Sequence, residues 1–515
     1  MTTPQKTPGV YIVEKDAFPN SVVQVATAVP AFIGYTQKAM NRNVSLKNTP
    51  FRITSLAEFH QYFGRWAKPT FKLEKRASSD TSGSSPFADA SKKAPLPVDT
   101  FTVGDATYSL QQIGEPFLLY QAMRHFFANG GGPCYIVSVG NYQDTIDANA
   151  LISALTPLEK EPEPTLIVVP DAVRLTRQEH AQVNTAVLSH CGDKMKNRFA
   201  ILDILGGHLD ENDSLGNPIA AFRSDIGSNN LHYGAAYYPW LNTSIFQSRD
   251  FTFECIQYEI NNLLADVLKA SMGSRLKETI SYGIDDVNAD FGSNADETLK
   301  VDKALRASVP LYKDFMDAMA KQMNLLPPSA AMAGIYTAVD NSRGVWKAPA
   351  NVGVIAVTSP AINIDNTQQE DLNVSPTGKS INAIRPFAGE GTLVRGARTL
   401  DGNSVDWRYI SVRRTMIMLE ESIRLATRAY VFEPNNAQTW VTVRSMIENF
   451  LTSIWKQGGL AGAATSDAFS VHVGLGDTMT PIDILEGRMI VTVLVAVTRP
   501  AEFIQITFKL EMQES

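Results

Sequence analysis

The chain has 515 residues, of which 44% are hydrophobic, 19% charged and 9% aromatic, and a formal net charge of −7. This length allows about two to four domains with an ample core, and the acidic balance argues against general nucleic-acid binding, which needs clustered lysine and arginine. No apolar run approaches the roughly 18 residues of a membrane span.

The three cysteines, Cys134, Cys191 and Cys255, are widely spaced and flanked by apolar residues, as expected of small core residues in a reducing compartment. Residues 1–6 lack the hydrophobic stretch of a secretory signal, so synthesis and folding in a cytoplasm are expected.

Near the N-terminus the short β-branched and aromatic run Val10, Tyr11, Ile12 and Val13 reads as a strand, and 22–25 and 31–35 read as two more, with Pro30 between them. Ser55 is placed to cap a short helix whose apolar face is Leu56, Phe59, Tyr62 and Phe63, and Gly64 ends it. From about 68 to 114 the apolar period is lost. The serine-rich stretch 78–86 and Lys92-Lys93-Ala94-Pro95-Leu96-Pro97 predict a surface insertion.

Order returns with a predicted helix over 115–129, stopped by Gly130-Gly131-Gly132 before a strand over 134–139. Asp144 is placed to cap a helix reaching Leu155. Strands over 166–171 and 199–204 flank a helix that opens on the capping box Thr176-Arg177-Gln178-Glu179. Further strands are expected at 235–238 and 352–357, and helices over 253–269 and 301–323. Apolar strands alternating with helices predict an α/β domain with a mainly parallel sheet covered on both faces.

Beyond about Gly378 the texture changes. Met416, Leu419, Ile423, Ala426 and Tyr430 step by three and four, as do Trp440, Val443, Ile447, Phe450 and Ile454. These spacings predict two amphipathic helices, with Asn435-Asn436 as the cap between them and Gly458-Gly459 as the stop. A strand over 469–473 follows, then the run 489–497, apolar on both faces and expected to be an interior strand. The tail alternates cleanly: Ile504, Ile506, Phe508, Leu510 and Met512 on one face, Gln505, Thr507, Lys509 and Glu511 on the other, a half-buried strand. Pattern alone leaves open whether the two terminal strands fold back or seek an edge elsewhere.

Motifs for chemistry are scarce. The histidines form no HxxxH, the cysteines no CxxC, and no GxxxxGKS/T occurs. Gly130-Gly131-Gly132 runs from helix to strand, the reverse of a phosphate cradle. Ser329 lacks the preceding glycine of a nucleophile elbow and reads as a helix cap. Asp285-Asp286, Asp210-Glu211 and Glu420-Glu421 read as solvated pairs. No catalytic residue, cofactor or metal ligand is predicted.

One set of motifs is specific when taken together. Pro8-Gly9-Val10-Tyr11, Gly334, Asp340, Gly344-Val345-Trp346-Lys347-Ala348-Pro349-Ala350-Asn351, Gly396-Ala397-Arg398-Thr399-Leu400, Trp407-Arg408-Tyr409-Ile410, Arg413-Arg414, Val431-Phe432-Glu433-Pro434-Asn435, Gly458-Gly459-Leu460-Ala461-Gly462 and Pro500-Ala501-Glu502-Phe503-Ile504 resemble the tail sheath protein of contractile phage tails and related contractile injection systems. Arg395 departs from the resemblance, since the family often has tryptophan there.

The resemblance implies a structural subunit with neither active site nor cofactor. Such a subunit polymerises into a helical sheath around an inner tube and contracts to drive the tube through a target envelope. The implied partners are further copies of the chain or sheath paralogues, an inner tube protein, and baseplate and terminal cap proteins, with no nucleic acid and no direct membrane insertion. Assembly is expected in the bacterial cytoplasm, as part of a phage tail or phage-tail-like particle. The implied fold class is α/β plus α+β: an N-terminal arm over 1–20, linking strands and a short helix over 21–66, the insertion over 67–114, an outer α/β domain over 115–377, an inner sheath domain over 378–500 and a C-terminal arm over 501–515.

The resemblance also implies that both arms add strands to sheets of neighbouring copies. The residues concerned are Val10, Tyr11, Ile12 and Val13 at one end and Phe503, Ile504, Ile506, Phe508 and Leu510 at the other, with flexing expected at 14–16 and 498–500. Tube contact is expected from a polar helix face carrying Arg413, Arg414, Glu420, Glu421, Arg424 and Arg428. Burying Ile504, Ile506, Phe508 and Leu510 gains roughly 6–12 kcal/mol, against roughly 7–14 kcal/mol to order about seven residues. One arm nearly breaks even, so templated assembly is expected. The rival readings are an α/β hydrolase-like enzyme, for which no motif is present, and another self-assembling capsid or baseplate component.

Overall fold

The computed structural model of the chain describes residues 22–76, 87, 89–257, 263–288, 295–503 and 505. They divide into two compact units. The larger holds Ala26–Arg414 and the described residues from Arg499 on; the smaller holds 22–25 and Thr415–Thr498.

The larger unit is built on an eight-stranded sheet. Its strands are β1 (Pro30–Tyr35), β2 (Phe51–Ile53), β3 (Cys134–Gly140), β4 (Leu166–Val168), β5 (Phe199–Asp203), β6 (Gly234–Tyr238), β7 (Asn382–Phe387) and β8 (Gly391–Val394), in the order β8-β7-β6-β5-β4-β1-β3-β2. All neighbours from β7 to β3 run parallel, and only the edge strands β8 and β2 are antiparallel. Every residue of β1, β3, β4, β5 and β6 is buried. Because successive side chains point to opposite faces, both faces of the sheet must be covered, as expected of parallel strands.

Local signals account for many of the helices. Ser55 accepts a hydrogen bond from Glu58 N at 3.3 Å, and Gly64 closes that helix at φ 85°. The Thr176 capping box forms as read. Helix α1 (Ser329–Arg343) begins at Ser329, but the cap comes from the sheet: Ser329 N donates to Asp203 Oδ1 at 2.9 Å and its hydroxyl donates to Asp203 Oδ2. Burial pushes the Asp203 carboxyl up to about 7, although both Ser329 hydrogen bonds pull the other way.

Several expectations are corrected. The stretch 68–114 contains three strands, Thr70–Lys75, Val98–Val103 and Ala106–Ile113, which form a four-stranded sheet with Ile256–Gln257. Only alternate positions such as Phe71, Leu73 and Leu110 are buried there, and polar flanks mask that short period; 77–86 lies outside the described residues. The segment 301–323 is split into Ala295–Ser308 and Pro310–Met323, because Pro310 lacks the N–H that a continuous helix needs. Over 253–269, a turn Phe253–Cys255 and a strand come first, and the described helix is Leu263–Met272.

The strand expected at 352–357 is instead Val357–Pro360, paired with Leu241–Thr243. Asn351 and Ala356 sit at φ 57° and 59°, in the left-handed region that interrupts a strand. Residues 22–25 are irregular. Finally, residues 382–394, expected in the C-terminal unit with no strand predicted there, form β7 and β8 of the large sheet.

Candidate self-assembly interface

The division between units falls within helix α2 (Ile410–Thr427), after Arg414. In the smaller unit, α3 (Ala437–Lys456) starts where the sequence placed it: the Asn436 side chain accepts from Gln438 N and Thr439 N, each at 3.1 Å. Its apolar stripe, Val443, Ile447, Phe450 and Ile454, is buried, and α3 packs on a two-stranded sheet. That sheet is the antiparallel pair β9 (Phe469–His472) and β10 (Thr492–Val495), with Phe469 opposite Val495 and His472 opposite Thr492.

β10 was expected to be interior, yet among the described residues no strand pairs with its second edge. Leu494 is 58% exposed, and Ile490 is exposed as well. An isolated two-stranded sheet is marginal in water, and an open strand edge is a template for another chain. Beside β10 lies an apolar groove of about 1010 Å³, lined by Met489, Val491, Val493 and Val495, by Met416, Leu419 and Ile423 of α2, and by the loop carrying Tyr430, Val431 and Phe432. Phe432 is fully exposed and sits at φ 73°, a conformation that costs a non-glycine residue about 1–2 kcal/mol.

The expected arm residues Val10, Tyr11, Ile12, Val13, Ile504, Ile506, Phe508 and Leu510 lie outside the described residues. Phe503 is described, and its ring is 76% exposed. The six charged residues expected on one polar helix face are separated. Arg413 and Arg414 are buried: Arg413 lies 4.7 Å from the Tyr233 ring centre and 4.4 Å from that of Trp407, and Arg414 is paired with Asp340.

Farther along α2, Glu420 and Arg424 line the apolar groove, and Arg424 grips the nearly buried Glu421 through Nε and Nη2 at 2.7 and 2.5 Å. Arg428 is exposed. The groove was not anticipated, although the double-faced apolarity of 489–497 was its signal: one face lines a groove, and the other has exposed Leu494.

In doubly wound sheets ligands bind where the strand order reverses, here between β1 and β4. The chain fills that position itself. Asp171, fully buried, accepts from Tyr35 N at 2.8 Å and Leu118 N at 2.6 Å. Burial raises its carboxyl to about 6 despite those hydrogen bonds. Cys134, Cys191 and Cys255 are buried free thiols, each pushed up by burial. Among the described residues no cluster of histidine, cysteine and carboxylates could hold a metal ion, and no helix is long and apolar enough to cross a membrane.

Residues 403–511, which include this groove, match the family model of the phage tail sheath C-terminal domain. Taken with the similarities that follow, the match shows that the chain is similar to the sheath proteins of contractile phage tails and phage-tail-like injection systems, as its motifs implied.

Along 99% of its length the chain is similar to 99% of the sheath chain of the extracellular contractile injection system PVC in its contracted state, at 28% identity and a TM-score of 0.58. It is also similar to the contracted helical sheath of the anti-feeding prophage, at 27% identity, a TM-score of 0.59, and coverage of 98% of this chain and 100% of that one. The tail sheath protein of Vibrio phage KVP40 is 24% identical over 230 residues, 44% of this chain but only 32% of the phage protein, so the match spans about a third of that relative. These relatives are structural sheath proteins.

Proposed function

We propose that the chain polymerises by strand exchange. The segment 503–512 of one copy adds to the open edge of β10 in another and places Ile504, Ile506, Phe508 and Leu510 in the neighbouring groove. The observation that carries this reading is the edge of β10 that has no strand partner among the described residues, beside an apolar groove of about 1010 Å³. Exposed Phe503 and the strict alternation after it supply a segment of matching chemistry. The N-terminal run Val10 to Val13 is the second link. The helical assembly encloses an inner tube, is seeded at a baseplate in the bacterial cytoplasm, and contracts to drive the tube through a target envelope.

Removing 1–14 or 506–515 should leave a folded chain that forms no ribbed tubes by negative-stain microscopy. Tubes of normal yield from either deletion would sink the exchange reading.

With Arg413 and Arg414 buried, the proposed tube contact narrows to the exposed residues Glu420 and Arg424 of α2 and Arg428 just beyond its end. Arg428→Glu should weaken co-sedimentation with preformed inner tubes several-fold at low salt and hardly at all at high salt. Unchanged recruitment at low salt would assign Arg428 to an ordinary solvated surface.

A further inference from the structure

The chain passes between the units after Val25, after Arg414 and after Thr498, and at each passage a side chain or backbone group of the larger unit is fixed by an arginine–carboxylate clasp. Asp340 serves two of them. It accepts from Thr27 Oγ1 at 2.5 Å and from Arg414 Nη1 and Nη2 at 3.0 and 2.6 Å, while Arg414 Nη2 also reaches Thr27 O at 2.9 Å.

A second clasp, at the third passage, holds a carboxylate at the root of the C-terminal arm. Glu502 accepts from Arg398 Nε at 3.0 Å and Nη2 at 2.7 Å, from Asn373 Nδ2 at 2.7 Å, and from the Tyr409 hydroxyl at 3.2 Å. Arg398 is itself held in place: its N donates to Asn382 Oδ1 at 2.8 Å and its Nη1 to Asn373 O at 3.2 Å. The Arg398 side chain is 5% exposed and that of Glu502 20%. The next side chain, Phe503, is 76% exposed.

We infer that Glu502 is the positioning residue of the C-terminal arm: its clasp with Arg398, Asn373 and Tyr409 fixes the arm's root to the larger unit. The arm follows the smaller unit in sequence but is rooted in the larger one. Each exchanged strand therefore couples the larger unit of one copy to the smaller unit of the next, and a pull on the strand is delivered to the β-sheet unit through Glu502. A charge-assisted, bidentate arginine–carboxylate pair suits this task because it fixes direction as well as distance. Burial alone would raise the Glu502 carboxyl, but hydrogen bonds from Arg398, Asn373 and Tyr409 outweigh it and hold the group below the usual glutamate range. The clasp also joins two motifs about a hundred residues apart, Gly396-Ala397-Arg398 and Pro500-Ala501-Glu502.

The geometry stands alone; its consequence for assembly rests on the strand-exchange reading. The test compares the full chain with Glu502→Ala, Asn373→Ala and a chain lacking 506–515, using hydrogen exchange of the unassembled protein over 496–505 and tube formation by microscopy. Glu502→Ala should speed exchange of that segment roughly tenfold, as expected for losing a charged hydrogen-bond partner, and should give fewer and shorter tubes. Asn373→Ala, which removes one partner and leaves the arginine pair, should give a smaller change in the same direction and keeps the test valid if Glu502→Ala folds poorly.

Unchanged exchange in both variants would overturn the clasp. Faster exchange with normal tubes, in a background where the deletion abolishes tubes, would overturn its positioning role while leaving strand exchange standing. Normal tubes from the deletion would overturn strand exchange and with it the coupling between copies, whereas the exchange rates would still report on the clasp.

Discussion

Val493→Lys should abolish tube formation at concentrations where the unaltered chain polymerises, while the thermal transition of the monomer stays close to normal. Val493 is half-buried, lines the groove, and sits in the strand whose second edge is unpaired among the described residues. In the isolated chain a lysine there can reach water, so its cost to folding is small. In the proposed assembly the same position faces the incoming arm, and losing a buried valine contact would remove ~1.5–3 kcal/mol from each link. At about 1.4 kcal/mol per tenfold, the critical concentration should rise roughly 10- to 100-fold, and a buried charge adds to that. Thr492→Lys, on the exposed opposite face of β10, should disturb polymerisation far less. Dynamic light scattering across a concentration series separates the variants, and equal critical concentrations for all three chains would remove the groove from the assembly.

Much of this architecture was legible because it rests on local chemistry. The near-continuous apolarity of 134–139, 166–169 and 199–202 announced buried parallel strands, and Ser55, Thr176 and Asn436 announced helix starts that the structure keeps. What was not legible depends on partners distant in sequence. The strands within 68–114 carry weak alternation, and they are strands because they pair with one another and with Ile256–Gln257. Arg413 and Arg414 read as part of a polar helix face because charge usually means exposure; their burial follows from two aromatic rings and from Asp340, 74 residues away from Arg414. At the proposed interface, the sequence pointed to a candidate arm but not to the groove beside β10. A strand such as 489–497, apolar on both faces, satisfies an interior reading equally well whether its covering comes from the same chain or from another.

The second large effect is expected at the Arg414–Asp340 pair, whose side chains are 3% and 2% exposed. Arg414→Ala leaves the Asp340 carboxylate buried with only the Thr27 hydroxyl, and Asp340→Ala leaves a buried guanidinium on the face of the Tyr336 ring, 4.6 Å from its centre. Either change should cost about 3–5 kcal/mol of stability, the usual effect of orphaning one partner of a buried pair. Both should appear as a shifted urea midpoint with an unchanged slope. Replacing both residues by apolar ones of similar volume, Arg414→Met with Asp340→Leu, should restore most of that loss, because the desolvation of both charges is removed together.

Thr27 would then lose its carboxylate acceptor and Arg414 its fork, so the passages after Val25 and after Arg414 would no longer be tied to one point. The expected result is a double variant that is stable by urea titration yet assembles poorly, with faster hydrogen exchange around 25–29. A double variant that is both stable and fully competent in tube formation would reduce Asp340 to a packing residue and leave the C-terminal clasp to fix the arm without it.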